Sequence, residues 1–404
     1  MPFISLRGLI LAGAAAPLIY YAAAMACAWA FFRKHEDLPS EFAPPLSVLK
    51  PMHGSYRDTY GNLASFCRQD YPNYELLFGV NSADDPAIAV IRRLMTEFPA
   101  LSIRLVVGPG RPESLRPSTM ERGSNDKVVK LCCLEREARY DVLVVSDGDI
   151  RVEPDYLRRV AAAFCDPCVG VVTSLYRGNT ESNLWSELED LSLSTDFLAG
   201  VLVARKLGVK FALGATMAVR REALAAIGGF EALADAAADD HELGRRAAAQ
   251  GFAVALADTL PETECSTHDF RSYFHHHLRW AVVTRTSQPW GHFGFLFAQG
   301  LPWAILAVIL ARSWVIAAAF AAAYLVLRMA LAFVLGSWGL RDSLVRKKWW
   351  LLPVRDALAF VIWFASLFAR RVHWQDAAYD VRRGRLIPGT ERSVTVPERA
   401  SSNS

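Results

Sequence analysis

The chain has little that could staple it covalently or hold it on a polyanion. Only seven of its 404 residues are cysteine: Cys27, Cys67, Cys132, Cys133, Cys165, Cys168 and Cys265. An odd number without regular spacing argues against a disulfide framework and fits a reducing compartment. Cys165-Asp166-Pro167-Cys168 has CxxC spacing but lacks the second pair, or the nearby histidines, that would complete a zinc site. A charge excess is also missing. Forty-four basic residues stand against 41 acidic ones, for a net charge of +3. With no concentrated basic face, a nucleic-acid partner is not expected. Internal repeats and low-complexity blocks are absent, apart from alanine-rich stretches of helical character.

What the chain has in quantity is apolar sequence, 52% of its residues. The stretch Gly8 to Phe32 carries no charge and exceeds the roughly 20 apolar residues that cross a bilayer. A cleaved signal peptide would have a shorter apolar core and no Arg33-Lys34 after it, so an uncleaved anchor is expected. Those two cations place the following domain in the cytoplasm. Apolar character returns after Trp290, in Phe293 to Ala311, Trp314 to Gly336 and Trp349 to Ala369. Arg312-Ser313 is expected to form a hairpin between the first two. Arg328 interrupts the second and has either to snorkel or to face protein. Basic residues flank the third on both sides, and Arg355-Asp356 lies inside it. A single crossing would violate the charge rule at one end, so an interfacial or re-entrant placement stays open beside a span. The tail after Pro388 is polar and expected to be disordered.

Between Pro45 and Asp269 the pattern is that of a soluble α/β unit. The runs "LSVLK", "YELLFGV", "IRLVVG", "VLVVS" and "GVVTSL" alternate with helical stretches such as Pro86 to Glu97 and Pro154 to Phe164. Parallel strands joined by crossover helices are expected. Ligands in such sheets bind beyond the carboxyl ends of the strands. Asp147-Gly148-Asp149 stands at one of those ends. Two hard oxygen donors on one short turn suit Mg2+ or Mn2+, which fill the rest of their shell from phosphates and water. A plain Asp-Gly turn is the competing reading. Asp84-Asp85 follows another strand, where it can meet a nucleoside or cap the helix beginning near Pro86. Asp239-Asp240 opens a further helix, as a cap or as a carboxylate placed to take a proton from an alcohol. In "HHHLRW", Arg279 offers a fork of donors suited to a diphosphate, and Trp280 a flat wall. The three histidines do not share a helix face, which argues against a metal site. The helical pattern of Asn179 to Lys210 fits either an acceptor-side wall or plain core.

In order, "VLKPMHG", "NLASFCRQDYPNYELLFGVNSADDPAIAVIRRL", "DGDIRVEPDYL", "FALGATMAVRREAL", "ADDHELG" and "HLRW" resemble the family 2-like glycosyltransferases of GT-A fold. Within that group they resemble the ceramide glucosyltransferases and their bacterial, hopanoid-associated relatives. The resemblance covers roughly Ser47 to Arg285. It implies an α/β, GT-A (nucleotide-diphospho-sugar transferase), Rossmann-like domain at residues 45–290. An anchor at 1–34 would precede it, with membrane or interface helices at 291–371 and a tail at 372–404 following. The implied enzyme is an inverting, UDP-sugar-dependent hexosyltransferase acting on a membrane lipid. Transfer of glucose from UDP-glucose to ceramide is the first expectation. A hexose or N-acetylglucosamine passed to a hopanoid or other bacterial lipid, or a processive polysaccharide synthase, are the alternatives. It further implies that Asp85 contacts the nucleoside, that Asp147 and Asp149 hold the metal on the diphosphate, and that Asp240 is the general base. Arg279 and Trp280 would sit by the diphosphate and acceptor. Asn125 and Lys127, in "GSNDKVVKL", resemble a segment lining the nucleotide pocket. His276 stands where the family signature has Gln or Arg, so no role passes to it. The bacterial flavour of the resemblance implies an inner membrane, with the catalytic domain facing the cytoplasm.

Overall fold

The computed structural model describes residues 6–33, 42–108, 125–181, 183–374 and 377–388. The segment after Pro388, expected to be a disordered tail, lies outside them. In chain order the strands are β1 (Leu46–Pro51), β2 (Tyr74–Val80), β3 (Ser102–Val107), β4 (Val142–Val145), β5 (Ile150–Arg151), β6 (Val169–Ser174) and β7 (Arg177–Thr180). They continue with β8 (Met217–Arg220), β9 (Ala253–Ala257), β10 (Glu262–Cys265), β11 (Arg371–Trp374), β12 (Ala377–Arg382) and β13 (Arg385–Pro388). Seven of them form the central sheet in the order β3-β2-β1-β4-β8-β6-β9.

The apolar runs form strands because both faces of this sheet are covered. Leu46, Val48, Leu76, Phe78, Val142 and Val144 point into one core, with Phe66, Tyr156 and Phe164. Their alternates Leu49, Leu77, Leu143 and Val145 point into the other, with Val128, Leu131 and Phe230. Successive side chains leave a strand on opposite faces, so a doubly covered strand reads as continuously apolar. Each such side chain contributes about 1.5–3 kcal/mol by leaving water. The pairings β1–β2, β2–β3 and β1–β4 are parallel, as expected. By contrast β8 runs antiparallel between β4 and β6. Its approach passes Gly214, which lies beside Asp147 just past the end of β4, so β8 starts where β4 stops. A smaller sheet, β5-β10-β7, stands beside this end of the central one.

Three helical stretches are long and apolar enough to cross a membrane: Ile10–Phe32, Trp314–Gly339 and Ser343–Ser366. The stretch expected as one span over Phe293 to Ala311 is instead a pair, Pro289–Ala298 and Gly300–Leu310, bent by 50°. At the bend Gly300 donates its N–H to the Tyr21 hydroxyl, 3.0 Å away, and a Cβ there would sit 2.4 Å from that oxygen.

Arg328 faces protein and is 2% exposed. It donates to both carboxylate oxygens of Asp356 at 2.8 Å and to Asp196 at 2.9 Å, while Arg355 pairs with Asp196. Two cations and two anions thus bolt helices Trp314–Ala332 and Leu352–Ser366 to the segment Ser192–Phe197 of the α/β unit. Residues 371–374 and 377–388, most of them inside the tail expected at 372–404, form the antiparallel sheet β11-β12-β13. Its Val372, Val381 and Leu386 pack on Val282.

Removing one member of the buried quartet leaves uncompensated charge, which costs about 3–5 kcal/mol. Asp356→Ala is therefore expected to lower the thermal unfolding midpoint of the detergent-solubilised protein sharply. The exposed change Arg92→Ala is expected to leave it in place.

Candidate active site

At the carboxyl end of β4 the chain turns through Asp147-Gly148-Asp149. Gly148 is required there, because a Cβ would lie 2.5 Å from the Tyr56 ring. The Tyr56 loop is itself pinned by Glu264, which accepts from the Arg57 and Asp58 amides at 3.0 Å and from Asn62 at 2.6 Å. Below the turn, Lys50 of β1 is fully buried and donates to the Asp147 carbonyl at 2.5 Å. Burial brings its ammonium down to about 7, against the pull of Asp149 and Asp147. Sequence reasoning missed Lys50, although a lysine within an apolar strand is a recognisable anomaly.

Three distant stretches meet at this turn. Helix Asp126–Glu137 begins with Lys127, its amide accepted by the Asn125 side chain at 3.1 Å. Helix Asp239–Ala249 begins with Asp239 and Asp240. Lys127 Nζ lies 2.8 Å from Asp147 Oδ1 and 3.4 Å from Asp239 Oδ2. Asn125 donates to Asp239 Oδ1 at 3.0 Å. Asp240 Oδ1 accepts from the His241 amide at 2.7 Å. A Cβ on Gly214 would stand 3.4 Å from Asp147 Oδ2, 3.5 Å from Asp240 Oδ2 and 3.7 Å from Lys127 Nζ, so these three groups face one common point.

The electrostatics follow from the crowding. Burial and the Asp239 carboxylate push Asp240 up to about 6. Burial and the Asp147 carboxylate push Asp149 to about 6, although Thr263 of β10 donates to it at 2.8 Å. Burial works against the Lys127 ammonium, yet Asp147, Asp239 and Asp240 together hold it well above its ordinary value.

Asp85 stands one step away. It accepts from the Gly54 amide at 3.2 Å and from Ala87 at 2.9 Å, so it caps helix Ala87–Glu97 and ties down the β1 loop. Tyr56 feels both Asp85 and the Asp147–Asp149 pair, which places the ring between them. Arg279 and Trp280 lie on helix Phe270–Ser287. The carboxylate that Arg279 feels is Glu189; burial lowers the guanidinium to about 10. Trp280 sits 4.9 Å from the His276 ring and 6.1 Å from Phe197, which in turn lies 5.0 Å from Tyr176. Burial, with the charges of Asp240, Asp147 and Asp149, raises the Tyr176 hydroxyl well above its ordinary value, so one end of this aromatic row lies near the acids. Glu189 was not singled out in the sequence. It is 3% exposed, accepts from Thr267 at 2.7 Å, lies 3.5 Å from His276, and is raised to about 7 by burial. Its signal, "SELEDL", looks like any amphipathic helix.

No three His, Cys, Asp or Glu side chains gather as a self-sufficient metal cage among the described residues. The pair Asp147 and Asp149 nevertheless suits a cation completed by phosphate and water. Two half-buried carboxylates repel across one turn, and the Lys127 ammonium already lies against one of them.

A mixed sheet rich in parallel strands, with an Asp-x-Asp turn at its carboxyl edge and acids from two further helices, is the arrangement of a GT-A glycosyltransferase. The sequence pattern of glycosyl transferase family 21 matches residues 9–387, and the chain belongs to that family. Ceramide glucosyltransferase 1 of Caenorhabditis elegans is 25% identical over 274 residues, 67% of this chain and 57% of that protein. Ceramide glucosyltransferase 3 of the same organism is 25% identical over 267 residues, 66% of this chain and 56% of its own length. The chain thus spans a little over half the length of these relatives. A mannosyltransferase from Pyrobaculum calidifontis, solved in complex with GDP-Man and Mn2+, superposes with a TM-score of 0.51 at 20% identity. That superposition covers 88% of this chain and 98% of the other, and it shows the shared fold.

Gly214→Ala tests the convergence. Its methyl would make ordinary contacts of 3.4–3.7 Å, so the thermal midpoint should hold. Because the methyl would fill part of the point these groups share, any affinity that calorimetry finds for a nucleotide sugar with Mn2+ is expected to fall measurably while the fold stays intact.

Proposed function

We propose that this protein is a membrane-bound inverting glycosyltransferase that moves a sugar from a UDP-sugar to a lipid hydroxyl, glucose to ceramide being the first choice. The observation that carries this reading is the meeting of Asp147, Asp240 and Lys127 at Gly214, at one end of an aromatic row that leads to the membrane helices. Tyr176 packs both on the sheet core and on the helical bundle of Tyr21, Leu331 and Leu335. This continuous packing would hold the site close to the bilayer in which a lipid acceptor stays.

Asp240 is the group that takes the acceptor's proton. Asp239 is engaged by Asn125 and Lys127, whereas Asp240 uses Oδ1 on a neighbouring amide and turns Oδ2 toward the shared point. Its raised value suits a base that must collect a proton near neutral pH. One positioned carboxylate serves direct attack by the alcohol, which inverts the anomeric centre. Asp147 and Asp149 would hold a divalent cation, Mg2+ or Mn2+, which when bound neutralises charge developing on the leaving diphosphate. Lys127 adds fixed positive charge beside Asp147, and Arg279 offers a second, buried cation on the acceptor side. Asp85 lies where a nucleoside would extend beyond Tyr56. Trp280, with His276 and Phe197, walls the acceptor side and keeps out the water that would hydrolyse the donor.

The helix Leu352–Ser366 is read as interfacial. Although Ser343–Ser366 as a whole is long enough to cross, the ends and faces of the helix favour the membrane plane. Both of its flanks are tied to the α/β unit: Lys348 to Glu187 at 3.2 Å, and Leu367 and Ala369 through their carbonyls to Arg285 at 2.6 Å. It turns Arg355, Asp356 and Ser366 inward and Val354, Val361 and Phe364 outward, as a helix lying in the membrane plane does. This placement resolves the charge conflict by putting both basic flanks on one side of the membrane.

The full chain, reconstituted with UDP-glucose and ceramide, is expected to make glucosylceramide, and Asp240→Asn to cut turnover by about 10²–10⁴-fold. A raised carboxylate is ionised above its midpoint, so kcat/KM should fall as pH drops through about 6 and level off above it. If a panel of lipid alcohols stays unglycosylated and Asp240→Asn behaves as wild type, the reading fails. Single cysteines placed at Trp350 and Arg383 should react with an impermeant thiol reagent from the same side of a sealed vesicle.

A further inference from the structure

A second cationic site lies away from the acids, where the interfacial helix ends. A cavity of about 410 Å³ is lined by Arg285, Arg370, Asp380, Val381 and Arg382. Three elements build it: the helix carrying Arg279 and Trp280, the end of helix Leu352–Ser366, and β12. Its charge is unbalanced. Asp380 is engaged by Arg371 at 3.3 Å, and Arg370 and Arg382 have no carboxylate partner among the described residues. Arg285 is held rigidly by the carbonyls of Leu367 and Ala369. Burial makes Arg285 a poorer proton holder, and the nearby Arg370 charge adds to the effect. Three guanidiniums thus share the lining with the single carboxylate of Asp380, which Arg371 already engages, and the net positive charge suits an anion.

The surroundings indicate which anion. Phe364, Leu367 and Phe368 are 52%, 40% and 72% exposed and directly precede Arg370. A row of bare apolar side chains running into a ring of guanidiniums matches the step from acyl chain to headgroup in a membrane leaflet. The turn beyond β12 fixes the geometry. Arg383 and Gly384 both have positive φ, 49° and 74°, in a two-residue hairpin that sets Arg382 opposite Arg385.

We propose that the Arg285–Arg370–Arg382 cavity binds the phosphate of an anionic phospholipid headgroup. The bound lipid joins the interfacial helix to the small sheet. That sheet in turn braces the approach to Asp239 and Asp240: the Gly384 carbonyl accepts from Ala237 at 2.8 Å, and Leu386 donates to Asp235 at 3.0 Å. The site is independent of the transferase reading, because its test is binding alone.

The purified full chain in neutral detergent is titrated with phosphatidylglycerol and, separately, with phosphatidylcholine, and bound lipid is counted by native mass spectrometry. Phosphatidylglycerol is expected to bind the wild type about 25-fold more tightly than phosphatidylcholine does, from about fivefold for each of Arg370 and Arg382, Arg285 being occupied by backbone carbonyls. Arg370→Ala/Arg382→Ala should abolish that preference. Arg136→Ala/Arg139→Ala, which removes equal charge from another face, should keep it. Should the first double variant lose its folded thermal transition, Arg382→Gln alone is expected to reduce the preference about fivefold. An unchanged preference in the folded variant would overturn the proposal. So would inorganic phosphate displacing the lipid at equal concentration, since the site would then hold a free anion.

Discussion

The Lys127 ammonium is the contact on which the site depends. Asp147 comes from the end of a strand and Asp239 and Asp240 from the start of a helix more than ninety residues later; without a cation between them these carboxylates would repel one another apart. Lys127 can take that position because Asn125 caps its helix and also reaches Asp239. The cost is visible in Asp149 and Asp240, each left with its proton affinity raised to about 6. Such displaced acids belong at sites where a bound cation and a reacting alcohol finish the charge balance.

A second charge-balanced group governs how the α/β unit meets the membrane. Arg328, Arg355, Asp196 and Asp356 neutralise one another within apolar surroundings, and Asp196 directly precedes Phe197 of the aromatic row. The helices that touch lipid are therefore rigidly continuous with the wall of the site. A buried ionic group of this kind favours one docking geometry over others, because any sliding of the helices would strand a charge.

Much of this was legible in the chain. The strands β1 to β4 and β6 were readable because sheets covered on both faces leave uninterrupted Val, Leu and Ile runs. The acids were readable because they close those runs abruptly. Less legible were the elements whose signal is weak or shared. The strands β11 to β13 are short and charged, and most of their residues fell within the expected tail. The break at Gln299 is marked only by Gln299-Gly300-Leu301-Pro302 within an otherwise apolar stretch, and nothing local shows that Tyr21 will press against Gly300. Glu189 and Lys50 differ from ordinary helix and strand residues only in where they end up buried.

By itself the sequence determined the class of fold, the apolar helices and the chemistry available, because periodicity and side-chain type are local properties. Which groups meet was decided by tertiary structure alone. That Asp240 rather than Asp239 keeps an oxygen turned toward Gly214, that Arg328 faces two aspartates rather than lipid, and that both ends of helix Leu352–Ser366 are tied to the α/β unit all depend on residues far away in the chain. Such encounters are set by the packing of whole elements against one another, and no window of neighbouring residues contains them.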